Sequence, residues 1–109
     1  MFGNKVEKIA SLVEKGKEGA LIKLAGDKDK EVKIAALKGL GKIGKDDAFN
    51  MMIPLLTDSD ADVREATAAA LGVMGNSHAN AHLRYYLESE TNDKVKAAMK
   101  KAIESLGSQ

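Results

Sequence analysis

The 109-residue sequence lacks cysteine and tryptophan, and it has one proline, Pro54, and four aromatic residues, Phe2, Phe49, Tyr85 and Tyr86. Without cysteine, disulfide bonds and thiolate metal sites are excluded. A core with so few rings must be filled by Ala, Leu, Ile, Val and Met, which helices accommodate. Because β-rich runs are also absent, the composition predicts an all-α protein.

The sequence also lacks a charge imbalance and a long apolar run. Seventeen Lys and Arg against 16 Asp and Glu give a net charge of +1, so no overall charge favours nucleic acid or an anionic membrane. No apolar stretch approaches the roughly 18–20 residues that span a bilayer. The N-terminus leads into an amphipathic segment without the apolar core of a signal peptide. We therefore expect one cytoplasmic domain over residues 1–109.

Three segments of the sequence are similar to one another. Val32, Val63 and Val95 mark corresponding positions, spaced by 31 and then 32 residues. At equal distances after each valine stand a large aliphatic residue and a glycine. These residues are Leu40, Leu71 and Ile103, followed by Gly44, Gly75 and Gly107. Self-similarity at a fixed period of this length indicates a stacked repeat protein.

Each copy has the pattern of a helix pair. In copy two, Asp58 and Asp60 can accept the free amide hydrogens of a first turn. Apolar residues follow Val63 at helical spacing, and Gly75 tolerates the left-handed conformation of a C-terminal cap. Pro54 removes a backbone donor and predicts a kink in the first helix of this pair. The predicted elements are a capping helix at 4–15 and repeats at 17–44, 46–75 and 77–107.

Glycines recur inside the second helices, as Gly41 in copy one and Gly72 in copy two. A glycine in a helix interior costs about 1 kcal/mol relative to alanine. Its recurrence therefore predicts a close backbone approach between stacked helices. We expect the other second helices to be capped as in copy two, from Asp29 to Gly44 and from Asn92 to Gly107.

The pattern Asp-x-Asp-x-x-Val-Arg-x-Ala of copy two, ending in Ala-Leu-Gly and a further glycine, resembles the HEAT repeat. It is most similar to the short bacterial and archaeal form named for the phycobilisome lyases. The resemblance covers about residues 17–107 and implies a right-handed α-solenoid, an α-α superhelix, of three HEAT-like repeats behind the capping helix. It also implies a ladder of hydrogen bonds between acidic and basic residues of neighbouring repeats. The ladder positions would be Asp27, Asp58 and Glu90 with Lys33, Arg64 and Lys96.

Both ends of the predicted stack are expected to be polar. The helix at 4–15 is amphipathic and can cover copy one. In copy three, Lys100 and Glu104 replace the small residues Ala68 and Gly72 of copy two. Because an exposed last helix requires such charge, we expect a complete chain that is capped at both ends.

Catalytic chemistry has little support in the sequence. His78 and His82 are one helical turn apart and are weak candidates for metal ligands, but zinc takes three or four protein ligands. Surface histidines are the favoured interpretation, because no carboxylate lies at the neighbouring turns. No glycine-rich phosphate loop and no serine–histidine–acid set occurs. We therefore predict no enzyme activity, no metal and no cofactor.

Three functions remain open at this stage. The favoured one is a non-catalytic scaffold or adaptor, monomeric or weakly dimeric, that binds a protein or peptide. A second is an accessory to an enzyme, either similar to a bilin lyase or metal-dependent. A third is weak nucleic-acid binding through the lysines near the C-terminus. The sequence argues against this third function, because acidic residues are interspersed and no aromatic residues are interleaved for base stacking.

In solenoids of the kind that this sequence resembles, the second helices line the concave side. The predicted partner-binding residues on this face are Val6, Ile34, Leu37, Lys38, Glu65, Ala68, Lys100 and Lys101. Ile34 and Leu37 are unexpected on a face that should meet water. Either they pack against a neighbouring helix, or they form an apolar groove with a lysine-rich rim.

Overall fold

The computed structural model describes the backbone of residues 2–107 and the side chains of residues 5–107; Met1, Ser108 and Gln109 of the predicted domain lie outside this range. All the secondary structure in this part of the chain is helical. Its elements are α1 Phe2–Glu14, α2 Glu18–Leu24, α3 Lys30–Ile43, α4 Asp46–Met52, a 3-10 segment Ile53–Thr57, α5 Ala61–Met74, α6 Ala79–Ser89 and α7 Asp93–Gly107. They form an N-terminal helix followed by three helix pairs, and the predicted all-α solenoid is confirmed.

The second helices of the pairs form one continuous layer. In this layer α1 packs against α3, α3 against α5 and α5 against α7. The first helices, α2, α4 with its 3-10 segment, and α6, form the other layer, each packed on the second helix of its own pair. Helix α1 therefore takes the place that a preceding second helix would occupy. The stack measures 39 × 27 × 18 Å.

Short polar side chains begin all three second helices, as predicted. Asp29, Asp60 and Asn92 each accept a hydrogen bond from the amide two residues later, at 2.9, 2.8 and 2.9 Å. Each of these amides would otherwise lack a partner. The amides of the three caps in turn donate to an acidic side chain two residues earlier, at 2.8, 2.9 and 3.0 Å. Those acidic residues are Asp27, Asp58 and Glu90.

The ends of the second helices differ from one another. Gly75 has a φ of 78° and forms the predicted left-handed cap. Gly44 has extended backbone with a φ of −67°, and Gly107 belongs to α7 itself, so the prediction of equal capping is wrong. Glycine is instead favoured at position 44 because there is no room for a side chain. A Cβ there would lie 2.8 Å from the Ala48 side chain and 2.9 Å from that of Met74.

The predicted close approach between stacked helices is confirmed at two places. A Cβ on Gly41 would lie 3.0 Å from the carbonyl oxygen of Ala70, and one on Gly72 would lie 3.0 Å from the Cα of Ala102. We call the contact of α3 with α5 the first junction and that of α5 with α7 the second junction. Both junctions bring helix backbones together at a glycine.

The first helix of copy two changes conformation at the predicted place. Helix α4 ends at Met52, and the chain continues as a 3-10 segment in which Pro54 is the second residue. The Thr57 hydroxyl donates to the Pro54 carbonyl at 2.8 Å and closes this turn. The missing amide hydrogen of proline accounts for the interruption.

The second helices are buried more deeply than the sequence predicted. Leu37 and Ala68 are fully buried, so their assignment to the partner-binding surface is wrong. Each lies one helical turn before a junction glycine, on the face that packs against the next second helix. Ile34 is half-buried and packs against the core. The aliphatic pair therefore takes the packed alternative and does not form an open groove.

Candidate binding groove on the concave face

Only a narrow strip of each second helix is exposed on the face that points away from the first helices, because neighbouring second helices cover its flanks. This is the face predicted to be concave, and we call it the concave surface. Corresponding positions of α3, α5 and α7 form rows across this surface. The first row is Ile34, Glu65 and Ala97, the second is Lys38, Ala69 and Lys101, and the third is Lys42, Val73 and Ser105. Ile34 and Glu65 are half-buried, and the other members of these rows are exposed.

A groove of about 470 Å³ runs along the second junction. It is lined mainly by small and apolar side chains, with charged residues beside them. The apolar lining consists of Ala69, Gly72, Val73, Ala97, Ala98 and Ala102, and the charged lining consists of Glu65, Lys94 and Lys101. The groove opens here because alanine takes the place of longer side chains at the first junction: Ala69 of α5 corresponds to Lys38 of α3, and Ala97 of α7 corresponds to Glu65 of α5.

Val73 is an exposed large aliphatic side chain in the lining of this groove. Its exposed fraction is 67%, against 38% for Val6 on α1. Val73 is not among the site residues that the sequence predicted. The alignment of the three copies carried the signal, because Val73 stands where the other copies have the polar residues Lys42 and Ser105. An aliphatic residue at a polar, exposed position is a feature that the fold does not require.

The lysines of the concave surface differ in their partners. Lys30, at the start of α3, contacts the two aspartates at the start of α5 at 3.2 and 2.9 Å. Within residues 5–107, by contrast, Lys38, Lys42 and Lys101 form no ion pair. The strip that contains Ala69 and Val73 is therefore flanked by cations that no carboxylate of residues 5–107 neutralises.

Beside the second junction, a nearly buried ion pair joins α5 to the C-terminal cap of α6. Arg64 donates from Nε and Nη2 to the two carboxylate oxygens of Glu90, at 2.9 and 3.0 Å. Its Nη1 donates to the Asp58 carbonyl at 2.9 Å. The Glu90 side chain is only 5% exposed, and the guanidinium hydrogen bonds hold the pKa of this carboxyl below its usual value. This pair is a rung of the ladder that the resemblance implies, and it connects copies two and three.

The other rungs of the implied ladder differ. Asp27 is bound by Lys5 of α1 at 2.7 Å, which ties the N-terminal helix to copy one. Lys33 and Lys96 form no ion pair within the side chains that the structure describes. A lysine is a single point charge, whereas the planar arginine fork reaches a carboxylate and a carbonyl at once. Among the ladder positions, Asp27 and the Arg64–Glu90 pair therefore form ion pairs that connect neighbouring helices, whereas Lys33 and Lys96 do not within the described side chains.

The lysines near the C-terminus do not form one basic face. Lys94 and Lys101 line the groove, whereas Lys96 is half-buried. Lys100, which was predicted to bind a partner on the concave face, lines a separate depression at the end of the stack beside Arg84 and Glu88. The structure therefore does not bring Lys100 together with the groove residues. Lys101, in contrast, lines the groove.

The two histidines lie in the other layer of the stack. His78 immediately precedes α6, His82 belongs to it, and both are exposed. No group of three or more His, Asp or Glu side chains that could hold a metal ion occurs in the part of the chain that the structure describes. Within residues 2–107, no helix is both long and apolar enough to cross a membrane.

The two-layered stack and its grooved inner surface define an α-solenoid built from helix-pair repeats. The family model of HEAT repeats matches residues 18–107. The chain therefore belongs to the HEAT-repeat family. A comparison with curated proteins gave no match.

Proposed function

We propose that the protein is a non-catalytic module that binds a protein or peptide in the groove of the second junction. HEAT repeats commonly serve as protein-interaction scaffolds. The observation that supports this proposal most directly is the exposed Val73 in a mainly apolar groove with a volume of about 470 Å³. Concave apolar surfaces with a few polar groups beside them are typical of binding sites.

The size and lining of the groove suit a peptide segment. Small side chains at Ala69, Ala97 and Ala98 let a partner backbone or helix approach closely. Val73 and the flanking alanines can pack against apolar side chains that project from one face of that segment. The partner would thus contribute a helix or an extended strand of chain and would contact α5 and α7 together.

Selection of binders from a displayed library of random 12-residue peptides tests this proposal. We expect the wild-type protein to enrich peptides that lose about tenfold or more in affinity for the variant Ala69→Gln/Ala97→Gln. Glutamine fills the groove without adding charge and preserves helix propensity. Fluorescence anisotropy measures the affinity, and circular dichroism shows that the variant is folded.

The matched control is Ala20→Gln/Ala81→Gln, which makes the same change at two exposed alanines of α2 and α6, in the other layer. It should bind the selected peptides as the wild type does. Failure to enrich any peptide, or equal binding by the groove variant, would contradict the proposal.

The functions that were left open by the sequence have no comparable support. A role as an accessory to an enzyme, or in weak nucleic-acid binding, is not favoured by any particular site among the described residues. The phycobilisome-lyase-type form of the repeat, the cytoplasmic location and the monomeric or weakly dimeric state remain predictions.

A further inference from the structure

The junction glycines fix how the exposed strips lie beside one another. Gly41 is level with Ala70, and Gly72 is level with Ala102. Lys42 on α3 and Lys101 on α7 are each one residue from these contacts, so both are level with Leu71 of α5. Leu71 lies midway between Ala69 and Val73. Two lysines therefore stand at the same height on either side of the apolar strip of α5.

These two lysines are available to a partner. Both are exposed, and neither forms an ion pair within residues 5–107. Lys38 lies one turn before Lys42 on the same face of α3 and is likewise exposed and unpaired within that range. The partner surface that complements this arrangement has an apolar centre with carboxylates on both sides.

We infer that the groove binds an acidic peptide, with one apolar side chain against Ala69 and Val73 and with carboxylates toward Lys42 and Lys101. This inference rests on the proposed function and specifies its ligand. The carboxylates of the peptide would keep most of their hydration beside the exposed lysines. They would therefore contribute more to specificity and to the rate of association than to affinity. The apolar contact would supply most of the affinity.

The same lysines fit nucleic acid less well. Glu65 lies in the groove itself, where it would repel a continuous phosphate backbone. Bases would find no aromatic side chain for stacking, since the described groove lining contains none. A short peptide can place its carboxylates at the lysines and leave the region of Glu65 uncharged.

The experiment uses the peptides that are selected as described above. We expect Asp and Glu to be enriched on both sides of an apolar position. The variant Lys42→Gln/Lys101→Gln should bind these peptides about tenfold more weakly, whereas Lys8→Gln/Lys23→Gln, which removes two exposed lysines elsewhere, should stay within about twofold. Raising the salt from about 0.02 to 0.3 M should abolish most of this difference.

The outcomes separate the two proposals. Groove-dependent peptides without acidic enrichment, or unchanged binding by Lys42→Gln/Lys101→Gln, would overturn the inference and leave the proposed function standing. A lack of groove-dependent peptides would overturn both. A fluorescein-labelled oligonucleotide of about 20 bases, single-stranded or duplex, serves as the rival probe. If it binds more tightly than the peptides and depends on the same two lysines, the acidic-peptide inference is wrong.

Discussion

The two junctions between second helices share their backbone packing and differ in their concave surfaces. At the first junction the strip of α3 carries Ile34, Lys38 and Lys42, and long side chains cover the surface. At the second junction the corresponding strip of α5 carries Ala69 and Val73, and a groove opens toward α7. Both junctions place a glycine where a Cβ would lie 3.0 Å from the neighbouring backbone. The residues between the helices therefore maintain the repeat, while a single exposed strip is free to differ between copies.

The polar contacts of the two junctions differ as well. The first is bridged by Lys30, which is 51% exposed, and by two aspartates that also meet solvent. The second is bridged by Arg64 and the nearly buried Glu90. An exposed pair contributes little to stability, whereas an ion pair removed from water depends strongly on both partners. Removing one partner should therefore cost more stability in the Arg64–Glu90 pair than in the Lys30 contacts.

The largest loss of stability is expected from substitutions at the glycine that each junction contains. Gly41→Leu and Gly72→Leu should each lower the free energy of unfolding by about 3 kcal/mol, because a side chain would force the helices apart. Gly19→Leu, at a position where an added Cβ would have no neighbouring atom within 4 Å, should change stability by less than about 1 kcal/mol. Urea unfolding measures all three. A small loss for either junction glycine would show that the helices do not pack backbone to backbone there.

The next effect separates the junctions. Arg64→Ala should cost about 2–3 kcal/mol, because it leaves the Glu90 carboxylate buried without its partner. Lys30→Ala should cost less than about 1 kcal/mol, because that pair is exposed. The same unfolding measurements apply. Equal losses for the two variants would contradict the ranking of the two contacts.

The pH dependence of stability should follow from the second junction. Hydrogen bonds from Arg64 lower the pKa of Glu90 below its ordinary value of 4.5, so the unfolded chain binds a proton at a higher pH than the folded protein does. The stabilisation is therefore complete above about pH 4.5 and is lost as the pH falls through the lowered pKa. We expect the stability difference between wild type and Glu90→Gln to be constant from about pH 7 to 5 and to shrink toward about pH 3. A difference that grows on acidification would show that the pKa is raised.

The exposed strips of α3 and α5 should also differ from each other, and the smallest effect on stability is expected at Val73. Ile34→Ala should cost about 1–2 kcal/mol, because Ile34 is half-buried against the core. Val73→Ala should stay within about 0.5 kcal/mol, because Val73 is 67% exposed. It should nevertheless weaken peptide binding. A large stability loss at Val73 would indicate a role in the fold, and unchanged peptide binding would remove it from the site.

The sequence predicted the helices well, because their signals are local and occur three times. The period marked by the valines placed the helix pairs, and Asp29 and Asp60 cap their helices as expected. The lateral packing was predicted less well. Leu37 and Ala68 were assigned to the surface because they lie away from the partner helix of their own pair. Other second helices cover that side in a stack, and the junction glycines one turn further on already indicated this.

The groove was harder to predict than the fold, because its walls come from two helices. Ala69 and Ala97 lie 28 residues apart in the sequence, and nothing local connects them. Their proximity depends on the register of packing, which pairs Gly72 with Ala102. The sequence separation between Gly72 and Ala102 is shorter than the repeat period. Aligning the copies therefore identifies equivalent residues, but it does not identify the residues that contact each other across a junction. Glu65 and Lys101 were named from the sequence and do line the groove. Val73 was not named, and its place in the groove is visible only in the packed structure.

The most direct test of the groove is a titration of the ¹⁵N-labelled protein with a selected peptide, followed through its backbone amide chemical shifts. The largest changes should fall on Ala69, Val73, Ala97 and Lys101, along the second junction. Helices α2, α4 and α6 should be nearly unaffected. Changes concentrated in that outer layer, or at the first junction around Ile34, would contradict the assignment of the groove as the binding site.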